Sequence, residues 1–462
     1  MHLDNNQHPT WASPAAAGPV RARVQLPPSK SITNRALVLA ALSDGPSVIA
    51  SPLRARDTRL AAGALRALGT EITESRTGWR VAPGQPASGS SVSVDVGNAG
   101  TVMRFVPGVA ALTSAVVTFD GDARARQRPV GPILGALRRL GVEIEDGGRG
   151  AVPFTVRGTG AVRGGAVTLD ASGSSQLVSG LLLAAPRFGQ GVEVRHSGPP
   201  VPSAPHIAMT VRMLRAAGAS AEELGSGLPG SGRVPSSRRP EAWRVLPGRL
   251  DLGSVTVEPD LSNAGPFLAA ALVTGGTVTI PDWPRDSLQA AEAILAVLGQ
   301  MGAACSFGAD GLTVTGRGRV RGVTADLRDV AELAPVLTAA AAVAESPSVF
   351  TGLAHIRAHE TDRLAALAKE VNALGGNVAE LPDGLQVRPR PLHAAEPFGT
   401  YDDHRMVMAA AVLGLAVPGL RVAGAETVAK TFPDFMDVWG AMLGPQAPGR
   451  SEPGRSELGR EP

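Results

Sequence analysis

The chain has 462 residues, 44% of them apolar and 18% charged, with a formal net charge of +3. That is enough apolar material for more than one core, while the charge surplus is too small for nucleic acid and 3% aromatics leave no stacking platform for bases. The lone cysteine, Cys305, excludes an internal disulfide and fits a reducing cytosol, and no uninterrupted apolar run of about 18 residues exists to span a membrane.

The opening MHLDNNQHPTWASPAAAG lacks a basic start and an apolar centre, so no signal peptide is expected. Residues 1–18 and 445–462 read as disordered tails. Between them one grammar recurs six times: a polar start, an apolar helix, a Gly or Pro turn, then a β-branched strand. The copies are SITNRALVLAALSDGPSVI, GNAGTVMRFVPGVAALTSAVVTF, GSSQLVSGLLLAAPRFGQGVEV, LSNAGPFLAAALVTGGTVTI, DVAELAPVLTAAAAVAESPSVF and DHRMVMAAAVLGLAVPGLRV. They start near Ser31, Gly97, Ser174, Leu261, Asp329 and Asp403, roughly 65 to 90 residues apart, the mark of a repeated supersecondary unit.

A second helix follows in five copies, as in DTRLAAGALRALG and RPVGPILGALRRLG, with apolar residues at i, i+3, i+4 and i+7 and a Gly suited to a left-handed C-cap. Each unit therefore reads βαβαββ, and the first helices are apolar nearly all round, so they are expected to be buried. The fold class is α/β (α+β), with two domains of three units each. The Gly/Ser/Pro stretch at 224–240 marks the break between them. The opening strand VRARVQLP is expected to pair with the later half, which makes domain I discontinuous (19–29 and 249–444) around domain II (30–248).

Polar residues cluster where the first helices begin. N-capping explains the Ser, Asn and Asp residues. It does not explain Lys30, Arg35, Arg128, Arg363 and Arg405, because a cation near a helix start faces the positive end of the dipole. An anionic ligand at the same place would resolve the conflict, and Gly100 would let backbone approach it closely. The chain uses arginine almost throughout and has only three lysines, Lys30, Lys369 and Lys430, which hints that a compact ammonium matters at some of them. Glu332 and Glu360 lie among these cations as acid–base candidates. No metal-ligand spacing and no phosphate-loop motif is present, so neither a metal site nor a nucleotide triphosphatase is expected.

In chain order, SKSITNRALVLAAL, GNAGTVMRF, GDARARQRPVGP, ASGSSQLVSGLLL, PSAPHIAMT, HETDRLAAL, YDDHRMVMAAA and AKTFPDF resemble the enolpyruvylshikimate-phosphate synthase family, over about Val20 to Leu443. The resemblance implies the two-domain enolpyruvyl transferase fold and transfer of an enolpyruvyl group from phosphoenolpyruvate to shikimate 3-phosphate. It implies no cofactor, a cytoplasmic monomer, and no nucleic-acid or membrane partner. Carried over by motif, Lys30, Ser31, Arg35, Ser174, Ser175, Gln176, Ser203, Glu332 and His359 would hold shikimate 3-phosphate. Lys30, Asn98, Gly100, Arg128, Gln176, Arg363, Arg405 and Lys430 would hold phosphoenolpyruvate, with Glu332 as base, Glu360 as proton donor and Lys30 catalytic.

Three positions depart from the family's pattern. His359 replaces a usual lysine and is expected to titrate near neutrality. His355 replaces an asparagine. Phe105 stands where proline is common, and its bulk is expected to tilt the Gly100 backbone and alter sensitivity to glyphosate, which in this family competes with phosphoenolpyruvate. The alternatives are the related transferase acting on UDP-N-acetylglucosamine, which usually has a reactive cysteine near the second repeat, and a non-enzymatic scaffold that binds polyanions.

Overall fold

The computed structural model describes residues 9–84, 89–225 and 241–444, so the expectations for residues 1–8, 445–462 and most of the 224–240 loop fall outside the described residues. Six inner helices form where the six copies were read: α1 (Lys30–Ala41), α2 (Gly100–Ala110), α3 (Ser175–Ala184), α4 (Leu261–Thr274), α5 (Ala334–Ala342) and α6 (His404–Gly414). All of α2 and α6 is buried, as all-round apolar helices require. The fifth start differs from the expected one near Asp329. There a 3-10 turn (Ala331–Leu333) precedes α5, and Pro335, suited by its fixed φ to a first helical turn, opens the α-helix only after Glu332 has passed.

The second unit shows the plan in full. Strand Ser91–Asp95 runs parallel to Val116–Asp120 with α2 between them, and the outer helix Gly131–Arg139 leads to strands Glu143–Glu145 and Phe154–Arg157. The sheet order places Phe154–Arg157 antiparallel between its two neighbours. Outer helices stop at glycines in the left-handed region, such as Gly69 (φ 95°) and Gly141 (φ 99°), as the sequence pattern requires.

Two units exchange their first strands. Arg21–Arg23, which precedes α1, pairs in parallel with Thr277–Thr279 of the α4 unit. In return Ser254–Thr256, which precedes α4, pairs in parallel with Val48–Ala50 of the α1 unit. The two crossing segments are laced together: Asp260 N donates to Pro27 O and Ser29 N to Glu258 O, both at 2.8 Å.

Two hydrophobic cores result, one built from Ile32 through Val257 and one from Val20, Val24, Leu26 and Leu261 through Met442. Leu250 and Val257, which fall in the later segment of domain I (from 249) expected from sequence, lie in the first core, because the exchanged strand Ser254–Thr256 holds them there.

The N-terminal expectation also needs correction from residue 10 onward. Thr10–Ala12 is a strand antiparallel to Arg421–Ala423. Among the described residues the sixth unit runs from that strand into a 3-10 turn and a closing helix, Phe435–Leu443, without a hairpin; Thr10–Ala12 supplies the neighbouring strand while Trp11 packs on the second core.

Candidate active site

All six inner helices present their starts to one cleft between the lobes. Ser31 and Lys30 come from α1, Gly100 from α2 and Gln176 from α3, while the second lobe contributes Ser262, Glu332 and Arg405. Cross-lobe hydrogen bonds close its rim, including Ser203 N to Arg328 O at 2.9 Å and Arg212 Nη2 to Asp286 Oδ1 at 3.0 Å.

Of the residues expected from sequence, Lys30, Ser31, Gly100, Arg128, Ser174, Gln176, Ser203, Glu332, His359, Glu360 and Arg405 line the cleft. Five others do not. Arg35 is 1% exposed and braces the wall from behind, donating to Thr210 Oγ1 at 2.7 Å, to Ser31 O and His206 O at 3.0 Å, and to Ser179 Oγ at 3.3 Å. Phe105, whose ring lies 5.1 Å from the Arg35 guanidinium, belongs to that bracing. Asn98 takes both its carbonyl and its Oδ1 to Arg128 Nη1, at 2.6 and 2.9 Å, and so aims Arg128. Ser175 is buried in the first turn of α3. Lys430 donates to Asp402 O at 2.5 Å, beside the lining residue Thr431.

Arg363 lies behind the cleft as a hub, 1% exposed. Its Nε and Nη2 grip the fully buried Asp403 at 2.7 and 3.2 Å, its Nη1 reaches Glu332 Oε2 at 3.1 Å, and its Nη2 reaches Glu360 Oε2 at 3.0 Å. One planar guanidinium therefore fixes both acid–base candidates, which a point-charge ammonium could not do.

Local sequence marked Asp260 as a helix cap but gave no sign of how it or several other lining groups face Lys30. Asp57 Oδ2 holds Lys30 Nζ at 3.1 Å, so the cation at the start of α1 is compensated from an outer helix of its own lobe. Asp260 caps α4 through Oδ1, on Ser262 N at 3.1 Å and Asn263 N at 3.2 Å, and accepts Lys30 N on Oδ2 at 3.2 Å. Ser262 in turn accepts Arg405 Nη1 on its carbonyl at 2.9 Å and Nη2 on its hydroxyl at 2.5 Å. His206 and His404 also line the cleft. Arg104 was visible at i+4 from Gly100, and its Nη1 reaches Gln176 Oε1 at 3.2 Å.

Burial alone would raise the Glu332 carboxyl, but Arg363 and Arg405 outweigh it and hold Glu332 well below the usual range. Glu360 is held down in the same way by Arg363 and Arg128. Both are therefore ionised carboxylates. Burial would depress the Lys30 ammonium, yet Asp57, Glu360 and Glu332 raise it overall, so it is a fixed cation.

The expectation for His359 is overturned. Burial, then Arg363, pushes it down to about 3, and Arg363 Nη1 at 3.1 Å from Nδ1 can only donate, which leaves the proton on Nε2. Burial also lowers His206 and His355 to about 4.

These histidines predict an acid limb in stability. Each takes up a proton near pH 6.5 when unfolded but stays neutral when folded until about pH 3 to 4, so the unfolded state binds more protons in that window. Stability is therefore fully present above about pH 6.5 and declines as pH falls, by at most about 1.4 kcal/mol per pH unit per histidine. Calorimetric Tm should drop between pH 6.5 and 4, and more gently in His359→Asn. A flat Tm across that window would contradict this.

The EPSP synthase (3-phosphoshikimate 1-carboxyvinyltransferase) family model matches residues 14–439. The chain belongs to this family. A 3-phosphoshikimate 1-carboxyvinyltransferase from Kocuria rhizophila is 48% identical over 453 residues, covering 96% of this chain and 98% of that protein. Two solved structures of Acinetobacter baumannii EPSP synthase share the fold at 24% identity. Their TM-scores are 0.72 and 0.70, over 93% and 92% of this chain and 97% and 96% of theirs. This EPSP synthase-family chain is thus a transferase with the two-domain enolpyruvyl transferase fold. Among its described residues no group of three or more His, Cys, Asp or Glu is placed to hold a metal ion, and no helix is long and apolar enough to cross a membrane.

Proposed function

We propose that this transferase moves the enolpyruvyl group of phosphoenolpyruvate onto the 5-hydroxyl of shikimate 3-phosphate and releases inorganic phosphate, on the route to chorismate and the aromatic amino acids. The observation that carries the reading is the meeting of Lys30, Arg128 and Arg405 with Glu332 and Glu360 in one cleft, drawn from both lobes. Two polyanions need such a concentration of cations and helix starts, and an addition–elimination needs two carboxylates beside them. The enzyme works as a cytoplasmic monomer with no cofactor.

In this reading Ser31, Ser174 and Ser203, with the His359 Nε2–H, receive shikimate 3-phosphate, and Ser175 and Arg35 hold the wall behind it. Gly100, Gln176, Arg128 and Arg405 receive phosphoenolpyruvate, supported by Asn98, Arg363 and Lys430, and Lys30 reaches both substrates. Glu332 accepts the proton of the 5-hydroxyl as its oxygen bonds the central carbon of phosphoenolpyruvate, while Glu360 protonates the methylene carbon. Elimination then returns that proton to Glu360, breaks the C–O bond to phosphate, which leaves with the proton taken up by Glu332, and restores the double bond. Arg363 and Arg128 keep Glu360 ionised, so it gains its proton once substrate anions have neutralised the cations that hold it down.

A coupled phosphate assay tests the function. Phosphate should appear with shikimate 3-phosphate plus phosphoenolpyruvate, and with neither alone. Release with UDP-N-acetylglucosamine as acceptor would overturn the reading. Cys305, on strand Ala304–Gly308, does not line the cleft, which weighs against that alternative.

Gly100→Ala gives a sharper check. A Cβ there would meet Arg104 Nη1 at 2.8 Å, Arg128 Nη2 at 2.9 Å and Gln176 Oε1 at 3.0 Å. These are side-chain tips, so the fold survives while the three groups retreat. The KM for phosphoenolpyruvate should rise about 10- to 100-fold with that for shikimate 3-phosphate nearly unchanged. Equal effects on both KM values would contradict the assignment.

A further inference from the structure

The geometry points to Arg124 as a positioning residue that sets Glu360 in place when the lobes meet, and that ties this act to anion capture by Arg128. Arg124 does not line the cleft. It stands on the first lobe, next to the core residue Ala125, and reaches across to the second. Its Nε donates to the carbonyl oxygen of Glu360 at 3.0 Å and its Nη2 to that of His359 at 3.1 Å. One planar fork therefore holds two successive peptide units, those of the residues whose side chains enter the cleft. These peptides need an outside support. They lie between the 3-10 turn Ala354–Ala358 and the helix Arg363–Ala373, outside any regular element.

The same short turn connects this grip to the ligand. Arg124 precedes and Arg128 follows the single 3-10 turn Ala125–Gln127, closed by Arg128 N to Ala125 O at 3.1 Å. Arg124 Nη1 also bonds Gln127 Oε1 at 3.1 Å, which stiffens the turn. Its entrance is pinned by Arg56 Nη2 on both oxygens of Asp122, at 3.0 and 2.9 Å. Arg128 lines the cleft, so an anion bound to it is coupled through this turn to the grip of Arg124. Separating the lobes breaks both carbonyl contacts, so Glu360 is held in register only when the cleft is closed.

The inference rests on the reading of Glu360 as a proton-handling group, and a double-mutant cycle separates the two. Arg124→Ala should lower kcat about tenfold or more while the KM for phosphoenolpyruvate stays within about threefold. Its pH profile should shift, because Glu360 loses its fixed distance to Arg363. Arg124→Lys, able to reach one carbonyl, should fall between wild type and alanine. In a Glu360→Gln background, Arg124→Ala should add less than about a threefold loss, since positioning a group that no longer transfers protons gains little. Additive losses, or an Arg124→Ala variant with wild-type kcat, would overturn the inference and leave the reading of Glu360 standing. A Glu360→Gln enzyme with undiminished kcat would overturn both. Matching Tm values in the four proteins separate these outcomes from misfolding.

Discussion

Lys30→Met should lower kcat/KM about a thousandfold or more. Lys30 is the first residue of α1, and its ammonium stands 3.1 Å from Asp57 with Glu332 and Glu360 near enough to raise its pKa. It stays charged through neutral pH and so serves as a fixed cation between two bound anions. Methionine keeps the length and apolar stem of the side chain, so what is lost is the charge. Asp57 then loses its ammonium partner, and the anions lose the group they share. Lys369→Met is the internal control. That lysine is 67% exposed and lies 4.0 Å from Glu370, at the limit of a salt bridge, so kcat/KM should remain within about twofold. A comparable loss in both variants would mean that general charge, not position, matters.

Glu332→Gln should reduce kcat by about two to four orders of magnitude and leave both KM values within a few-fold, the pattern of a group acting in the transition state. The amide keeps an acceptor oxygen for Arg363 Nη1, and Arg363 retains Asp403 and Glu360 as counter-charges, so the hub is not left unpaired. Stability should therefore change little. Unaltered turnover in this variant would remove Glu332 from the mechanism, and a KM rise without a kcat loss would recast it as a binding residue.

The parts of this architecture that were legible in the sequence have local signatures. Cap residues such as Ser174 and Asp403, apolar periodicity and terminal glycines located the helices and the six-fold repeat. The strand Thr10–Ala12 was not legible, because three residues carry no alternation and their pairing partner lies about 410 positions away. The return exchange through Ser254–Thr256 was missed for the same reason. Within the site, residue types announced cations and acids but not who faces whom. Arg35 and Arg363 carry the same side chain near helix starts; one braces a wall and the other orders the acid–base pair. Asp57 gave no sign of its role, since its link to Lys30 joins an inner helix to an outer one. The protonation of His359 followed from burial and Arg363, neither of which a single sequence displays.

A crystal structure of the protein with shikimate 3-phosphate and phosphoenolpyruvate, or an inert analogue of the latter, tests the central claim most directly. Density for both should lie in the one interlobe cleft, with Lys30 Nζ within hydrogen-bond distance of each ligand, the enolpyruvyl carbons facing Glu332 and Glu360, and phosphate oxygens on Arg128 or Arg405. Either ligand bound elsewhere, for instance in the groove beside Arg54, Arg56 and Arg59, with the cleft empty, would contradict it.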